Sequence, residues 1–142
     1  PRYLSSAASD VYKRQQHCSL AHGEAVALMM AQTRLQTFDL GGESVPSLGL
    51  ATSGQPCIQC YGNLYWSGVR KLWIAARGDD VESITGFDEG PLPEDWVARI
   101  EKKGCQVVRD VKREEARAAL QFYVDNGGYV YNPTPPEVSA EC

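Results

Sequence analysis

The stretch SGQPCIQCYGNLYWSGVRKLWIAA, residues 53–76, decides how this chain folds. Pro56 opens a predicted helix from Cys57 to Trp66, because proline suits the first helical turn, where its missing N–H would be unpaired anyway. Gly68 ends that helix, and the apolar run from Val69 to Ala75 predicts a buried strand. Both cysteines of the stretch therefore lie in the first turn of a helix that precedes a strand.

Helices and strands alternate on both sides of this stretch. A helix over AHGEAVALMMAQTRLQ (21–36) and a strand from Leu48 to Ser53 are predicted before it. After it, the pattern predicts a short helical turn near 80–84, a helix over 94–104, a strand over 105–111 and a helix over 112–128. Such alternation predicts an α/β fold with a mainly parallel sheet and helices on both faces.

Composition places the chain among globular proteins of one domain. It has 142 residues, 43% hydrophobic and 23% charged, with a net charge of −4. The acidic balance disfavours a nucleic-acid partner, and no apolar run approaches the roughly 20 residues that span a bilayer. Five irregularly spaced cysteines predict reduced thiols and a cytoplasmic location.

Cys57 and Cys60 have a spacing that suits several kinds of chemistry. Three positions apart on one helical turn, their sulfurs can converge on one point. The positive end of the helix dipole also favours thiolates there. A metal site, a redox pair and two buried thiols all fit this pattern.

The motif HGE favours the metal site. His22 lies at a predicted helix start, and Glu24 follows two residues later. If the two helix starts lie side by side, one imidazole and two thiolates form a zinc site with an open fourth position. Glu24 could then act as an acid/base on water at that position. Two alternatives remain: a structural zinc site closed by Cys18 or His17, and thiols without a metal.

The combination of H-x-E with a later P-C-x-x-C is typical of zinc deaminases. From AHGEAVAL onward, over about residues 17–132, the chain resembles the cytidine deaminase-like superfamily. Within it, the bacterial guanine deaminase and nucleoside deaminase group is most similar, and the segment GFDEGP (86–91) points to guanine deaminases. The segments that carry the resemblance are TSGQPCIQCYGNLYWSGVRKLWIAARGDD, ESITGFDEGPLPEDW and GGYVYN.

The resemblance implies a three-layer α/β/α fold with a mixed, mainly parallel five-stranded sheet. It implies zinc held by His22, Cys57 and Cys60, with Glu24 as the proton shuttle. The implied reaction is hydrolytic deamination of guanine to xanthine and ammonia by zinc-bound hydroxide. Deamination of another base or nucleoside (guanosine, cytosine or tRNA adenosine) and a non-catalytic zinc-stabilised module are the alternatives.

The resemblance also implies a substrate site. Trp66 would form an aromatic wall against the purine, and Glu89 would contact the guanine edge as a second proton shuttle. The backbone N–H of Cys57 would bond the tetrahedral oxygen, and Tyr131 would help to close the pocket. Without the resemblance, Trp66 could equally be a core residue and Glu89 part of a solvated acidic loop. The implied partners are a small purine and, for the full-length protein, a second copy of the chain, with no membrane.

The ends of the chain do not match the resemblance. We predict a non-native or disordered leader over residues 1–15, PRYLSSAASDVYKRQ. The deaminase domain is predicted over residues 16–132 and an irregular tail over residues 133–142. Relatives carry a helix and two strands before the histidine motif, so the domain is expected to be incomplete. We therefore expect an unpaired sheet edge, weak zinc binding and poor activity.

Two charged segments have simpler interpretations. Asp79 and Asp80 are predicted to cap a turn, because a carboxylate near a helix start accepts bonds from free backbone N–H groups. The segment KREEAR (112–117) is predicted to be a solvated helix face.

Overall fold

The computed structural model describes residues 17–130 and 132–133. The predicted leader, Tyr131 and the tail from residue 134 lie outside the described residues. The described part contains, in chain order, α1 (Gly23–Leu35), β1 (Gly49–Gly54), α2 (Ile58–Ser67), β2 (Lys71–Ala76), α3 (Gly78–Thr85), α4 (Trp96–Lys102), β3 (Gln106–Val108) and α5 (Arg113–Asp125). None of these helices is long and apolar enough to cross a membrane.

The three strands form one parallel sheet in the order β1-β2-β3. Gly49 pairs with Lys71, which pairs in turn with Gln106. Parallel neighbours require long crossover connections, and here each crossover contains at least one helix. The predicted α/β fold with a parallel sheet is confirmed. Within the described residues, the outer edge of β1 has no strand partner.

The core lies where the helices meet one face of β2. The side chains of Leu72 and Ile74 are fully buried, because residues two apart on a strand point to the same face. They belong to one apolar cluster that also contains Leu28 of α1, Leu64 of α2 and Ile100 of α4. This cluster fixes the positions of α1 and α2, whose N-termini carry the predicted motifs.

Two elements differ in length from the prediction. The short turn expected near 80–84 is a helix of 8 residues, α3, and the strand expected over 105–111 has only 3 residues. Two residues after the strand ends, Asp110 adopts a left-handed backbone (φ +63°). In that position its carboxylate accepts two hydrogen bonds from Arg77, at 2.8 and 2.7 Å.

Asp80 explains the stability of α3. Its carboxylate is 2% exposed and accepts a 2.9 Å hydrogen bond from the backbone N–H of Arg77, as expected of a cap. It also accepts hydrogen bonds from Arg113 at 2.7 and 2.8 Å, and from Arg117. The guanidinium of Arg113 and the other two donors lower the pKa of Asp80 far below its ordinary value. These two arginines remain partly exposed, as a solvated KREEAR face requires, but they also bind the buried Asp80, which the sequence analysis did not predict.

Candidate metal centre

His22 and Cys57 occupy equivalent positions at the starts of two neighbouring helices. His22 is the N-cap of α1 and Cys57 the N-cap of α2, both with extended backbone (φ −66°, ψ 150° and φ −66°, ψ 174°). Neither side chain caps its own helix by a hydrogen bond. Both side chains are therefore available to the space between the helices, where His22 Nδ1 lies 3.4 Å from Cys57 Sγ.

Cys60 completes a group of three metal-ligand atoms. The ligand atoms of His22, Cys57 and Cys60 all lie within 4.8 Å of one another, and both cysteines are buried. Ligands of a tetrahedral zinc ion lie roughly 3.5 Å apart, since Zn–S and Zn–N bonds measure about 2.3 and 2.0 Å. This donor set fits zinc. Among the described residues, the group contains neither Cys18 nor His17.

The two cysteines of this group differ in pKa. The side chain of Cys60, followed by the hydrogen bond and charge of His22, lowers the pKa of Cys57 to about 4 against the opposing effect of burial. The side chain of Cys57, burial and the charge of Glu24 raise the pKa of Cys60. The thiolate is therefore favoured at Cys57 and the protonated thiol at Cys60. A metal ion would bind both as thiolates and release that proton.

Glu24 lies against this group without belonging to it. The Cys60 thiol donates a hydrogen bond to Glu24 Oε2 at 3.4 Å, across 36 positions of sequence. Glu24 is in the first turn of α1, two residues after His22, so α1 fixes both side chains. The arrangement provides a carboxylate beside three residues that could hold a metal ion.

Glu89 approaches the same group from the loop between α3 and α4. Its carbonyl oxygen accepts a 2.9 Å hydrogen bond from the N–H of Ile58, the residue after Cys57. Burial, followed by the negative charges of Cys57 and Glu24, raises the pKa of Glu89 to about 7. Glu89 is half-buried, so the interpretation of this segment as a solvated acidic loop is wrong for Glu89.

The next residue, Gly90, allows this close approach. Its backbone is left-handed (φ +73°), and a Cβ atom there would lie 2.4 Å from Ile58 Cγ2. A larger residue would therefore push the Glu89 loop away from the start of α2.

Trp66 lies at the other end of α2, in its last turn. It is 76% exposed, so it is not a core residue. Its ring contacts Tyr65 edge-on at 5.2 Å, and Lys103 Nζ lies 5.3 Å from its centroid. It lines a cavity of about 470 Å³ together with Leu20 and Met29. Its role as an aromatic wall remains a prediction, as does that of Tyr131, which lies outside the described residues.

Asn132 was missed by the sequence analysis. Its side-chain amide donates to Gly86 O and accepts from Asp88 N–H, both at 2.9 Å, so it contacts the loop that carries Glu89. The two contacts span 46 and 44 positions of sequence. A lone asparagine in an irregular segment carries no sequence signal of such a role.

Known structures resemble this fold closely. A guanine deaminase from Nitrosomonas europaea is 48% identical, with a TM-score of 0.73, over 75% of this chain and 58% of its own. The protein NE0047 in complex with 2,6-diaminopurine is 47% identical, with a TM-score of 0.76, over 82% of this chain and 61% of its own. A mutant of NE0047 in complex with 8-azaguanine is 46% identical, with a TM-score of 0.75, over 78% of this chain and 60% of its own.

The chain thus spans 58–61% of the length of these relatives. No protein-family profile and no curated protein matches it.

Proposed function

We propose that this chain, which has the cytidine deaminase-like fold and resembles bacterial guanine deaminases, belongs to an enzyme that deaminates guanine to xanthine and ammonia with a zinc ion. The observation that carries the proposal is the group formed by His22, Cys57 and Cys60, with the carboxylate of Glu24 at 3.4 Å from the Cys60 sulfur. The purine analogues bound to the structural relatives support a small purine as substrate.

The three ligands would hold zinc at the starts of α1 and α2. Bound zinc supplies a Lewis acid that lowers the pKa of a water molecule to about 7. A set of one imidazole and two thiolates leaves the fourth tetrahedral position free for solvent or substrate.

Glu24 is the proposed proton shuttle. Its carboxylate would take one proton from the attacking water and pass it to the ring nitrogen. It would then take the proton left on the hydroxyl group that has added to the ring and pass it to the leaving amine. This role needs a carboxylate that does not itself bind the metal, and Glu24 lies beside the ligand group rather than in it. The backbone N–H of Cys57 is the proposed hydrogen-bond donor to the tetrahedral oxygen.

Glu89 is the proposed second acid/base and contact to the guanine edge. A pKa raised to about 7 allows its carboxyl group both to accept and to release a proton near neutral pH. Two carboxyl groups suit a purine amidine, because protons move at more than one of its atoms. Trp66 is the proposed aromatic wall against the purine, and Tyr131 is the proposed residue that helps to close the pocket.

A purified zinc-loaded chain tests the proposal. We expect ammonia release and xanthine absorbance with guanine at a low rate, in line with the poor activity expected from the sequence, and none above background with guanosine, cytosine or an adenosine in tRNA. Preference for another base or nucleoside would reassign the substrate. Stoichiometric zinc without turnover of any of these would favour a non-catalytic zinc-stabilised module.

We also propose a homodimer and a cytoplasmic location for the whole protein. The four cysteines in the described residues are all free thiols, which supports a reducing compartment.

Sedimentation velocity would test the dimer, and a single monomeric species at micromolar concentration would contradict it.

A further inference from the structure

The Glu89 loop, residues 86–90, needs an anchor at each end. At the end near Glu89, the N–H of Ile58 donates to Glu89 O at 2.9 Å. This hydrogen bond ties the loop to the first turn of α2, directly after the metal ligand Cys57. It fixes the backbone of Glu89, three residues after the start of the loop at Gly86.

Asn132 supplies the second anchor. Its Nδ2 donates to Gly86 O at 2.9 Å, and its Oδ1 accepts from Asp88 N–H at 2.9 Å. A carboxamide is the side-chain group that can donate and accept at the same time in this geometry. Asn132 thus bridges the peptide groups on both sides of Phe87 and sets the path of the chain as it enters Glu89.

Three further hydrogen bonds of the loop are local. Gly86 N–H donates to Glu82 O at 2.9 Å and Phe87 N–H to Thr85 Oγ1 at 3.1 Å, which join the loop to the end of α3. Gly90 N–H donates to Asp88 Oδ1 at 2.9 Å within the loop. The bonds of Asn132 and Ile58 join the loop to parts of the described chain that are distant in sequence.

The segment after α5 is itself held in place. Tyr123 donates a 2.7 Å hydrogen bond from its hydroxyl to Tyr129 O, and its ring lies 6.1 Å from the ring of Phe87. Gly127, with φ +72°, turns the chain at the end of α5. The chain up to Tyr129 is therefore tied to α5.

We propose that Asn132 is a positioning residue, which holds the Glu89 loop against the metal centre through its two hydrogen bonds. Asn132 then supports the site although it lies outside the sequence motifs for zinc binding. The inference rests on the proposed deaminase function, because it assigns Asn132 an effect on turnover through Glu89.

The test is a double-mutant cycle on the purified, zinc-loaded chain. We expect Asn132→Ala to lower kcat/KM for guanine roughly 10- to 100-fold, since a displacement of about 1 Å can cost that much. Zinc stoichiometry should not change. In a Glu89→Gln background, assayed at high enzyme concentration, the same substitution should change the rate less than about twofold. Asn126→Ala is the matched control, because Asn126 is an exposed amide whose side chain donates to Phe122 O at the end of α5, away from the Glu89 loop.

Three results would overturn the inference: an undiminished rate in Asn132→Ala, an equal loss in both backgrounds, or loss of zinc. Amide hydrogen exchange separates this inference from the proposed function. In Asn132→Ala, the N–H groups of Asp88 and Ile58 should exchange roughly tenfold faster than in the unsubstituted chain. If the chain deaminates nothing, the proposed function fails and exchange alone decides: faster exchange supports the anchor, and unchanged exchange overturns it.

Discussion

The Nδ1 atom of His22 lies 3.4 Å from the Sγ atom of Cys57, although 35 positions of sequence separate the two residues. Each is the N-cap of its helix and neither caps it by a side-chain hydrogen bond. The positive ends of two helix dipoles therefore converge on the same space. That field favours thiolate over thiol and so prepares the sulfurs for a cation.

Metal binding should require His22, Cys57 and Cys60 but not Cys18. We expect Cys57→Ser, Cys60→Ser and His22→Ala each to lose stoichiometric zinc, measured by elemental analysis after dialysis. Zinc at 100 times its Kd should raise the free energy of unfolding of the unsubstituted chain by about 2.7 kcal/mol, and a chelator should reverse this.

Cys18→Ser is the control, because Cys18 is a half-buried free thiol outside the ligand group. Loss of zinc in Cys18→Ser would mean that the fourth position is closed and the site structural. Cobalt substitution gives a second measurement, because thiolate-to-metal charge-transfer bands should persist in Cys18→Ser and weaken in Cys57→Ser.

Glu24→Gln should separate metal binding from turnover. The substitution keeps the size of the side chain but removes its basicity. We expect kcat to fall by about 10²- to 10⁴-fold, the usual contribution of a positioned acid/base, with zinc content unchanged. Glu43→Gln, at an exposed position outside the metal centre, should leave both quantities unchanged. Full turnover in Glu24→Gln would remove Glu24 from the mechanism.

The group of His22, Cys57 and Cys60 could be predicted from the sequence because its signals are local. Pro56 and Gly68 mark the ends of α2, and the spacing of Cys57 and Cys60 places both at its start. His22 likewise begins a helix with apolar periodicity. The alternation of helices and strands predicted a parallel sheet, which the structure confirms, but it left open whether the two helix starts meet.

Contacts that depend on distant pairs could not be predicted in this way. Arg113 and Arg117 looked like solvated charges because the sequence does not show that Asp80, 33 and 37 positions away, is buried beside them. Asn132 was missed for the same reason. Glu89 was assigned only through the resemblance to guanine deaminases, since an acidic loop residue carries no intrinsic signal of burial.

Glu89 should make the stability of the metal-free chain depend on pH. Its pKa is raised from an ordinary value of 4.5 to about 7, so the folded state holds the proton more tightly than the unfolded state. The contribution to stability is present below pH 4.5 and is lost as pH rises through 7.

We compare the free energy of unfolding of the unsubstituted chain with that of Glu89→Gln. Between pH 5 and pH 8 this difference should shift by about 1 kcal/mol against the unsubstituted chain, after allowance for solvent screening. Urea denaturation in the presence of a chelator would measure this difference. Glu94→Gln, at an exposed position near the loop, should show no such trend. A difference that does not change with pH would mean that the Glu89 carboxyl is ionised throughout.

Asp80 should have the opposite dependence on pH. The bonds from Arg113, Arg77 N–H and Arg117 lower its pKa below 3.8, so its contribution to stability is complete above that pH and is lost as pH falls through the folded-state pKa. We expect Asp80→Asn to reduce the free energy of unfolding by about 2 kcal/mol at pH 7, because charge-assisted hydrogen bonds are lost. The difference should shrink as pH is lowered from 5 towards 2.

Asp79→Asn is the matched control for this substitution. Asp79 lies in the first turn of the same helix but is exposed, so its loss should cost only about 0.5 kcal/mol through the helix dipole. Equal losses for the two variants would show that the two arginines add nothing beyond helix capping. A larger loss for Asp80→Asn would show that the ion cluster holds α5 against α3. Because α5 leads directly to the segment that carries Asn132, Asp80→Asn should then also speed amide exchange at Asp88.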